Sequence, residues 1–146
     1  MKYSHKLSDA VHILAFVAIN PANDLSSAVI ASSVQANASQ IRRLMSQLVK
    51  AGLLTSQPGK VAVSLGRDAR EITLFDVYAA VEDYRHLIHV DEDMNPLCPV
   101  GGNIQDVLNG VYADVQAQAE AAMRQTNLQQ IIAALVAAQQ AKIQEP

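Results

Sequence analysis

The stretch from Leu25 to Ser64 limits the fold of this chain more than any other part of the sequence. It contains two short segments with helical spacing of apolar residues, and only a few residues around Gln35 separate them. Ser26 and Asn37 are residue types that commonly cap helix N-termini, and Gly52 can end the second segment in a left-handed conformation. The pattern predicts a helix-turn-helix.

The second of these helices has one apolar and one polar face. Its apolar stripe consists of Ile41, Leu44, Met45 and Leu48. Ser39, Arg43, Ser46 and Lys50 lie opposite, flanked by Gln40, Arg42 and Gln47. A helix buried on one side and basic on the other is what a recognition helix requires in order to enter the major groove of double-stranded DNA.

Two short apolar segments, 53–56 and 61–65, follow around the turn residues Pro58 and Gly59. A hairpin directly after a helix-turn-helix is the wing of a winged helix. Helices are also predicted over 4–19, with Ser4 as N-cap, over 74–82, capped by Thr73, and over 103–125 and 128–141. In the first of them, Leu7, Val11, Leu14 and Ala18 repeat at helical spacing. The predicted fold class is mainly α: a winged helix-turn-helix with a small two-stranded β wing, a long dimerisation helix and a C-terminal helix.

Charge is divided unevenly along the chain. Residues 1–60 hold six lysines and arginines against two acids, a net +4, and residues 61–146 hold five against twelve, a net −7. Affinity for phosphate depends on a local basic face, so the overall charge of −3 does not exclude nucleic acid. We expect a DNA-binding domain over 1–83, a loop and sensor region over 84–102, and a dimerisation helix and C-terminal helix over 103–146.

The candidate DNA contacts are Ser26, Ser39, Gln40, Arg42, Arg43 and Lys60, with Lys2 and His5 as weaker candidates. Arginine can bind guanine and glutamine can bind adenine through two hydrogen bonds each, while serine and the helix N-terminus can hold a phosphate. The arginine pair could instead be ordinary solvated charges. A winged-helix module that binds protein without binding DNA is the alternative function.

Cys98 is the single cysteine, so a disulfide within one chain is excluded. It could be a small apolar residue packed beneath its loop, or a redox sensor ahead of the helix that starts near Asn103. Acidic and imidazole side chains nearby could suggest a metal: His86, His89, Asp91, Glu92 and Asp93. Their spacing matches no standard zinc site, so we expect no metal and no cofactor.

No glycine-rich phosphate loop, HExxH motif or nucleophile elbow is present, and we expect that the chain is not an enzyme. The longest near-apolar run, Val11–Ile19, is far shorter than the roughly 20 residues that cross a bilayer. The N-terminus lacks the pattern of a signal peptide. We therefore expect no membrane partner and a cytoplasmic protein. The apolar stripe of the long helix needs a cover, and a second copy is the simplest one, which predicts a homodimer.

Three segments together resemble the Rrf-two (Rrf2) family of bacterial winged-helix transcriptional regulators. They are the opening Met1–Ser4, the ending Leu48–Leu53 of the recognition helix, and the run Glu71–Glu82 with its Ile-Thr-Leu-Phe-Asp-Val core. The resemblance implies a homodimeric cytoplasmic DNA-binding regulator whose operator binding responds to a signal. We expect a repressor on a palindromic operator, and an oxidant, a small molecule or a partner protein are all open as the signal. Several members hold an iron–sulfur cluster through three cysteines, whereas this chain has only Cys98 and is similar to the cluster-free subgroup.

Overall fold

The computed structural model describes residues 4–21, 25–56 and 63–144. Within these ranges the chain forms six α-helices and two short strands. In chain order they are α1 (Lys6–Ile19), α2 (Ser27–Val34), α3 (Ala38–Lys50), β1 (Leu54–Ser56), β2 (Val63–Leu65), α4 (Leu74–Val81), α5 (Ile104–Gln125) and α6 (Leu128–Gln144). The mainly helical fold with a small antiparallel sheet is confirmed.

Helix α1 lies at the centre of the core and contacts α2, α3, α4, α6 and β2. Its buried residues are Ala10, Ile13, Leu14, Ala15 and Val17. Of the four residues that repeat at helical spacing, Leu14 is buried, Leu7 and Val11 are half-buried and packed against the core, and Ala18 is half-buried. A helix that is apolar on nearly every side and is packed from several directions gives no single stripe for periodicity to identify.

The N-cap of α1 also differs from the expectation. The cap position is His5, and no side chain caps the helix there. The Ser4 hydroxyl instead donates to Oε1 of Glu82 at 2.8 Å, and Nζ of Lys6 binds Oδ2 of Asp83 at 3.2 Å. These two contacts attach the start of α1 to the end of α4.

Helices α2 and α3 form the predicted helix-turn-helix. The Ser26 hydroxyl accepts a hydrogen bond from the Val29 amide at 3.3 Å, and Oδ1 of Asn37 accepts one from the Gln40 amide at 2.8 Å. Between the helices Gln35 takes the left-handed conformation, with φ of 62°. Each helix therefore starts at a cap that the sequence predicts.

The end of α3 is closed by a Schellman motif. The Leu53 amide donates to the Leu48 carbonyl at 2.9 Å, and the Gly52 amide donates to the Val49 carbonyl at 3.0 Å. Gly52 has φ of +79°, which residues with a Cβ rarely adopt. This turn fixes the angle between the recognition helix and strand β1.

Strands β1 and β2 pair antiparallel, with Leu54 opposite Leu65 and Ser56 opposite Val63. Strand β1 begins one residue later than the predicted segment, and residues 57–62, with the predicted turn around Pro58 and Gly59, lie outside the described residues. At the base of the sheet, a Cβ on Gly66 would lie 2.2 Å from the Gly52 carbonyl oxygen, so this close backbone approach requires glycine.

A capping box starts α4, in which the Asp76 amide donates to the Thr73 hydroxyl at 3.0 Å and the Thr73 amide donates to the Asp76 carboxylate at 2.9 Å. A short 3₁₀ turn, Ala69–Glu71, precedes it and had no signal in the sequence analysis. The corner between α5 and α6 is bonded to this region. The Leu74 amide donates to the Thr126 carbonyl and the Leu128 amide to the Ile72 carbonyl, both at 2.8 Å.

Candidate nucleic-acid interface

Helix α3 presents a polar face to solvent directly opposite its buried face. Ile41, Leu44 and Leu48 are buried in the core. The exposed polar side chains of this helix are Ser39, Arg42, Arg43, Ser46 and Lys50. Because residues three or four positions apart share one side of a helix, these hydroxyl and cationic groups cover the solvent side of α3.

The cations on this face form no ion pair with a described residue, in contrast to four other described cations of the chain. Arg67 pairs with Asp76 at 3.4 Å, Arg70 with Asp68 at 3.1 Å, and Arg124 with Glu120 at 4.0 Å; Lys6 pairs with Asp83. Among the described residues, no carboxylate forms an ion pair with Arg42, Arg43 or Lys50. Three positive charges on α3 are thus available to an external anion.

A cleft of about 500 Å³ lies between the N-terminus of α2, helix α3 and the two strands. Its polar lining consists of Ser26, Ser27, Arg42, Ser46, Lys50 and Ser56. Nη2 of Arg42 donates to the Ser39 hydroxyl at 3.3 Å, which holds the guanidinium beside the helix. Two predicted contact residues, Ser26 and Arg42, are therefore brought to one concave surface.

The other predicted residues are placed differently. Arg43 and Ser39 lie on the exposed side of α3, and neither is among the residues that line this cleft. Gln40 is half-buried on the opposite flank, in a second cleft lined also by Ser4–Leu7, Tyr78 and Glu82. His5 is exposed in that cleft, whereas Lys60 and Lys2 lie outside the described residues.

The sequence analysis left Lys50, Ser46, Ser27 and Ser56 out of the candidate site. Lys50 and Ser46 could have been included, because the helical spacing that places Arg43 on the polar face places them there too. Ser27 and Ser56 join the cleft through the crossing of α2, α3 and β1, and no local pattern reports that crossing.

The family profile described as Rrf2, iron-dependent transcriptional regulator, matches residues 3–134. This chain belongs to the Rrf2 family. YwnA of Bacillus subtilis (strain 168), described as an HTH-type transcriptional regulator, is 37% identical over 127 residues, which cover 87% of this chain and 94% of YwnA. The predicted family is confirmed.

Solved structures share the fold. The crystal structure of a protein described as DNA-binding is 35% identical with a TM-score of 0.71, and the match covers 87% of this chain and 98% of that one. CymR (YrzC), described as the global cysteine regulator of B. subtilis, has 21% identity and a TM-score of 0.65, with 91% and 97% covered. At 21% identity the likeness concerns the fold alone. As an Rrf2 protein, the chain is a DNA-binding transcription regulator and not an enzyme.

The Rrf2 description names iron, but the donor set of this chain does not fit an iron site. A cluster held by cysteines needs several thiolates, and Cys98 is the single cysteine. No three His, Cys, Asp or Glu side chains come together in a metal-binding group within ranges 4–21, 25–56 and 63–144. His86 and His89 are neighbours, with ring centroids 6.5 Å apart, but lack a third ligand there.

Cys98 itself is exposed, so the alternative in which it packs beneath the loop was wrong for the single chain. Hydrogen bonds from the backbone amides of Gly101 and then Val100 lower the pKa of its thiol, because they stabilise the thiolate. The thiol is therefore accessible and more acidic than an ordinary cysteine. Across the described part of the chain, no helix is both long and apolar enough to cross a membrane.

Proposed function

We propose that this chain is a sequence-specific DNA-binding repressor that acts as a cytoplasmic homodimer on a palindromic operator. The observation that carries the proposal is the set of three cations, Arg42, Arg43 and Lys50, on the exposed face of α3, none of which forms an ion pair with a described residue. Their partners would be phosphate oxygens and base edges of double-stranded DNA. The described residues of the wing base and α2 would contact the DNA backbone on either side.

The apolar face of α5 supports the homodimer. Val107, Val111 and Val115 recur every four residues and are 59%, 50% and 43% exposed in the single chain. Helices that leave such a stripe uncovered are normally packed against another surface. A second copy of α5 would cover the stripe by two-fold symmetry, and two recognition helices would then face two half-sites of a palindrome.

The three segments expected from the sequence have distinct roles in this proposal. Residues 1–83 would bind DNA, 103–146 would dimerise and 84–102 would receive the signal. The charge division agrees with such a separation, since the net charge changes from +4 in residues 1–60 to −7 in the remainder. An acidic second half would also keep the DNA-binding surface confined to the first.

The first experiment identifies the operator. Genomic fragments retained by the purified protein are sequenced, and a common motif is used in gel-shift titrations at fixed salt. We expect Arg43→Ala to weaken binding to this motif by about 1–3 kcal/mol. Lys142→Ala removes an exposed cation from α6 and serves as the matched control, with little expected change. Equal affinities of wild type and Arg43→Ala would contradict the assignment.

Salt dependence separates this proposal from a module that binds only protein. Neutralising DNA phosphates releases counterions, so the logarithm of the affinity for DNA falls steeply and linearly as the logarithm of salt concentration rises. No retained motif, or an affinity for DNA that is insensitive to salt, would favour the protein-interaction alternative.

The redox response forms the last part of the proposal, and it is supported by the exposure and acidic thiol of Cys98. Peroxide would convert its thiolate to a sulfenic acid, and peroxide itself would be reduced to water. Operator release after peroxide treatment is compared between wild type and Cys98→Ser. Release by wild type alone supports a sensor, and the same response from both proteins rules it out.

A further inference from the structure

Arg42 and Arg43 are adjacent in sequence but have different surroundings. Consecutive residues in an α-helix point about 100° apart, so the two guanidinium groups leave α3 in different directions. Arg42 lines the cleft between α2, α3 and the strands, and its Nη2 is bonded to the Ser39 hydroxyl. Arg43 is exposed and is not among the residues that line this cleft.

We propose that the two arginines have different roles in DNA recognition. Arg42 binds a backbone phosphate in the cleft, and Arg43 forms hydrogen bonds with a base edge. The inference rests on the proposed function, because it assigns roles within a recognition helix that binds DNA. It makes Arg43 the specificity-determining residue of the pair and gives Arg42 a sequence-independent contact.

The cleft has the chemistry of a phosphate site. Its two cations, Arg42 and Lys50, have no ion-pair partner among the described residues, and no described residue that lines it is acidic. Serine hydroxyls from α2, α3 and β1 add hydrogen-bond donors around the same space: Ser26, Ser27, Ser46 and Ser56. Leu25, Met45 and Val63 form apolar walls beside these groups.

The cleft also lies where a DNA backbone would pass. In helix-turn-helix proteins the first helix of the motif crosses the phosphate backbone while the second occupies the major groove. The cleft joins the start of the first helix, at Ser26 and Ser27, to the side of the second. A phosphate bound there would set the depth of α3 in the groove.

Arg43 meets the requirements of a base contact. It is the sixth residue of α3, which begins at Ala38, and it lies on the exposed line of Ser39, Ser46 and Lys50. Base contacts of recognition helices come from their N-terminal turns. The planar guanidinium can form two hydrogen bonds with O6 and N7 of guanine, which a lysine ammonium cannot reproduce with the same geometry.

The test measures the affinity of each variant for two duplexes, the selected motif and a scrambled sequence of the same composition, across a salt series. The variants are Arg42→Ala, Arg42→Lys, Arg43→Ala and Arg43→Lys, with Lys142→Ala as charge control. Circular dichroism checks folding, which we expect to be unchanged because these side chains are exposed.

We expect Arg42→Ala to weaken binding to both duplexes by the same factor. The slope of the logarithm of affinity against the logarithm of salt concentration should become less steep by about one. Arg42→Lys retains most of the affinity that Arg42→Ala loses, since a phosphate contact requires charge rather than a planar group. Arg43→Ala lowers the ratio of motif to scrambled affinity by roughly tenfold or more. Arg43→Lys does not restore the ratio.

Two results overturn the inference alone: Arg42→Ala lowers the ratio as much as Arg43→Ala does, or Arg43→Ala leaves the ratio unchanged. A wild-type protein that binds neither duplex overturns the proposed function, and this inference falls with it. The wild-type titration therefore distinguishes the two failures.

Discussion

At Cys98 a local hydrogen-bond pattern determines reactivity. The amides of Gly101 and Val100 stabilise the thiolate, and the Cys98 side chain is exposed in the single chain. In the redox-sensor alternative, Cys98 precedes a helix whose dipole would favour the thiolate. The structure gives a different cause, the tight turn between Cys98 and Gly102, in which the Gly102 amide donates to the Cys98 carbonyl at 2.7 Å.

We expect alkylation of Cys98 by iodoacetamide to reach half its maximal rate at a pH below that of an ordinary cysteine. The sign follows from the lowered pKa: the folded protein loses the thiol proton at lower pH, and the thiolate is the reacting form. Because this is the single cysteine, the total alkylation rate measures it directly. The same protein unfolded in urea is the control, and identical midpoints for the two states would contradict the assignment.

Helix caps were the best-predicted features at the scale of single elements. Asn37 and Thr73 each cap the helix that the sequence assigned to them, and Gly52 ends α3 as expected. These signals are local, because a cap side chain binds an amide only two or three residues away. Packing is not local, because the elements that bury Ala10, Ile13 and Val17 of α1 come from distant parts of the chain.

We expect Thr73→Ala to lower the free energy of unfolding by about 1 kcal/mol. The change removes the acceptor of the Asp76 amide, and with it half of the capping box at the start of α4. Urea denaturation followed by circular dichroism measures the loss. Ser32→Ala, which alters an exposed hydroxyl on α2, is the control. Equal stabilities of the two variants would show that the box contributes nothing measurable.

Two sets of contacts fix α5 to the winged helix, so the DNA-binding part and the long helix form one continuous body. The first is the α5–α6 corner, where Arg124 stacks 3.9 Å from the centre of the Phe75 ring. The second is Gln116, whose Nε2 donates to the Tyr78 hydroxyl at 3.0 Å and whose Oε1 accepts from the Leu87 amide at 2.9 Å. Reorientation of two copies about α5 would therefore carry their recognition helices with it.

This arrangement could not be predicted from the sequence. Periodicity predicted that α5 exists and that one side of it is apolar, but Gln116 is an ordinary polar residue in that pattern. Its hydrogen bonds depend on the positions of Tyr78 and Leu87 in the folded chain. The candidate site was predicted in the same partial way: the face of α3 was identified, and the cleft that separates Arg42 from Arg43 was not.

We expect Val111→Asp to abolish self-association at concentrations where the wild type is a dimer. A carboxylate buried without a partner costs several kcal/mol, and two-fold symmetry places one on each copy. Sedimentation equilibrium measures the effect. Ala113→Asp changes an exposed residue about 200° away around α5 and should remain dimeric. A monomeric wild type, or a dimeric Val111→Asp, would contradict the proposed interface.

Hydroxyl-radical footprinting on the selected motif tests the central claim most directly, because it reports DNA contact and two-fold symmetry together. We predict two equal protected half-sites related by a dyad, with centres about one helical turn or a multiple of it apart. Arg43→Ala should lose both half-sites at the concentration that saturates the wild type. A single unrepeated footprint, or no protection at any concentration, would contradict the claim.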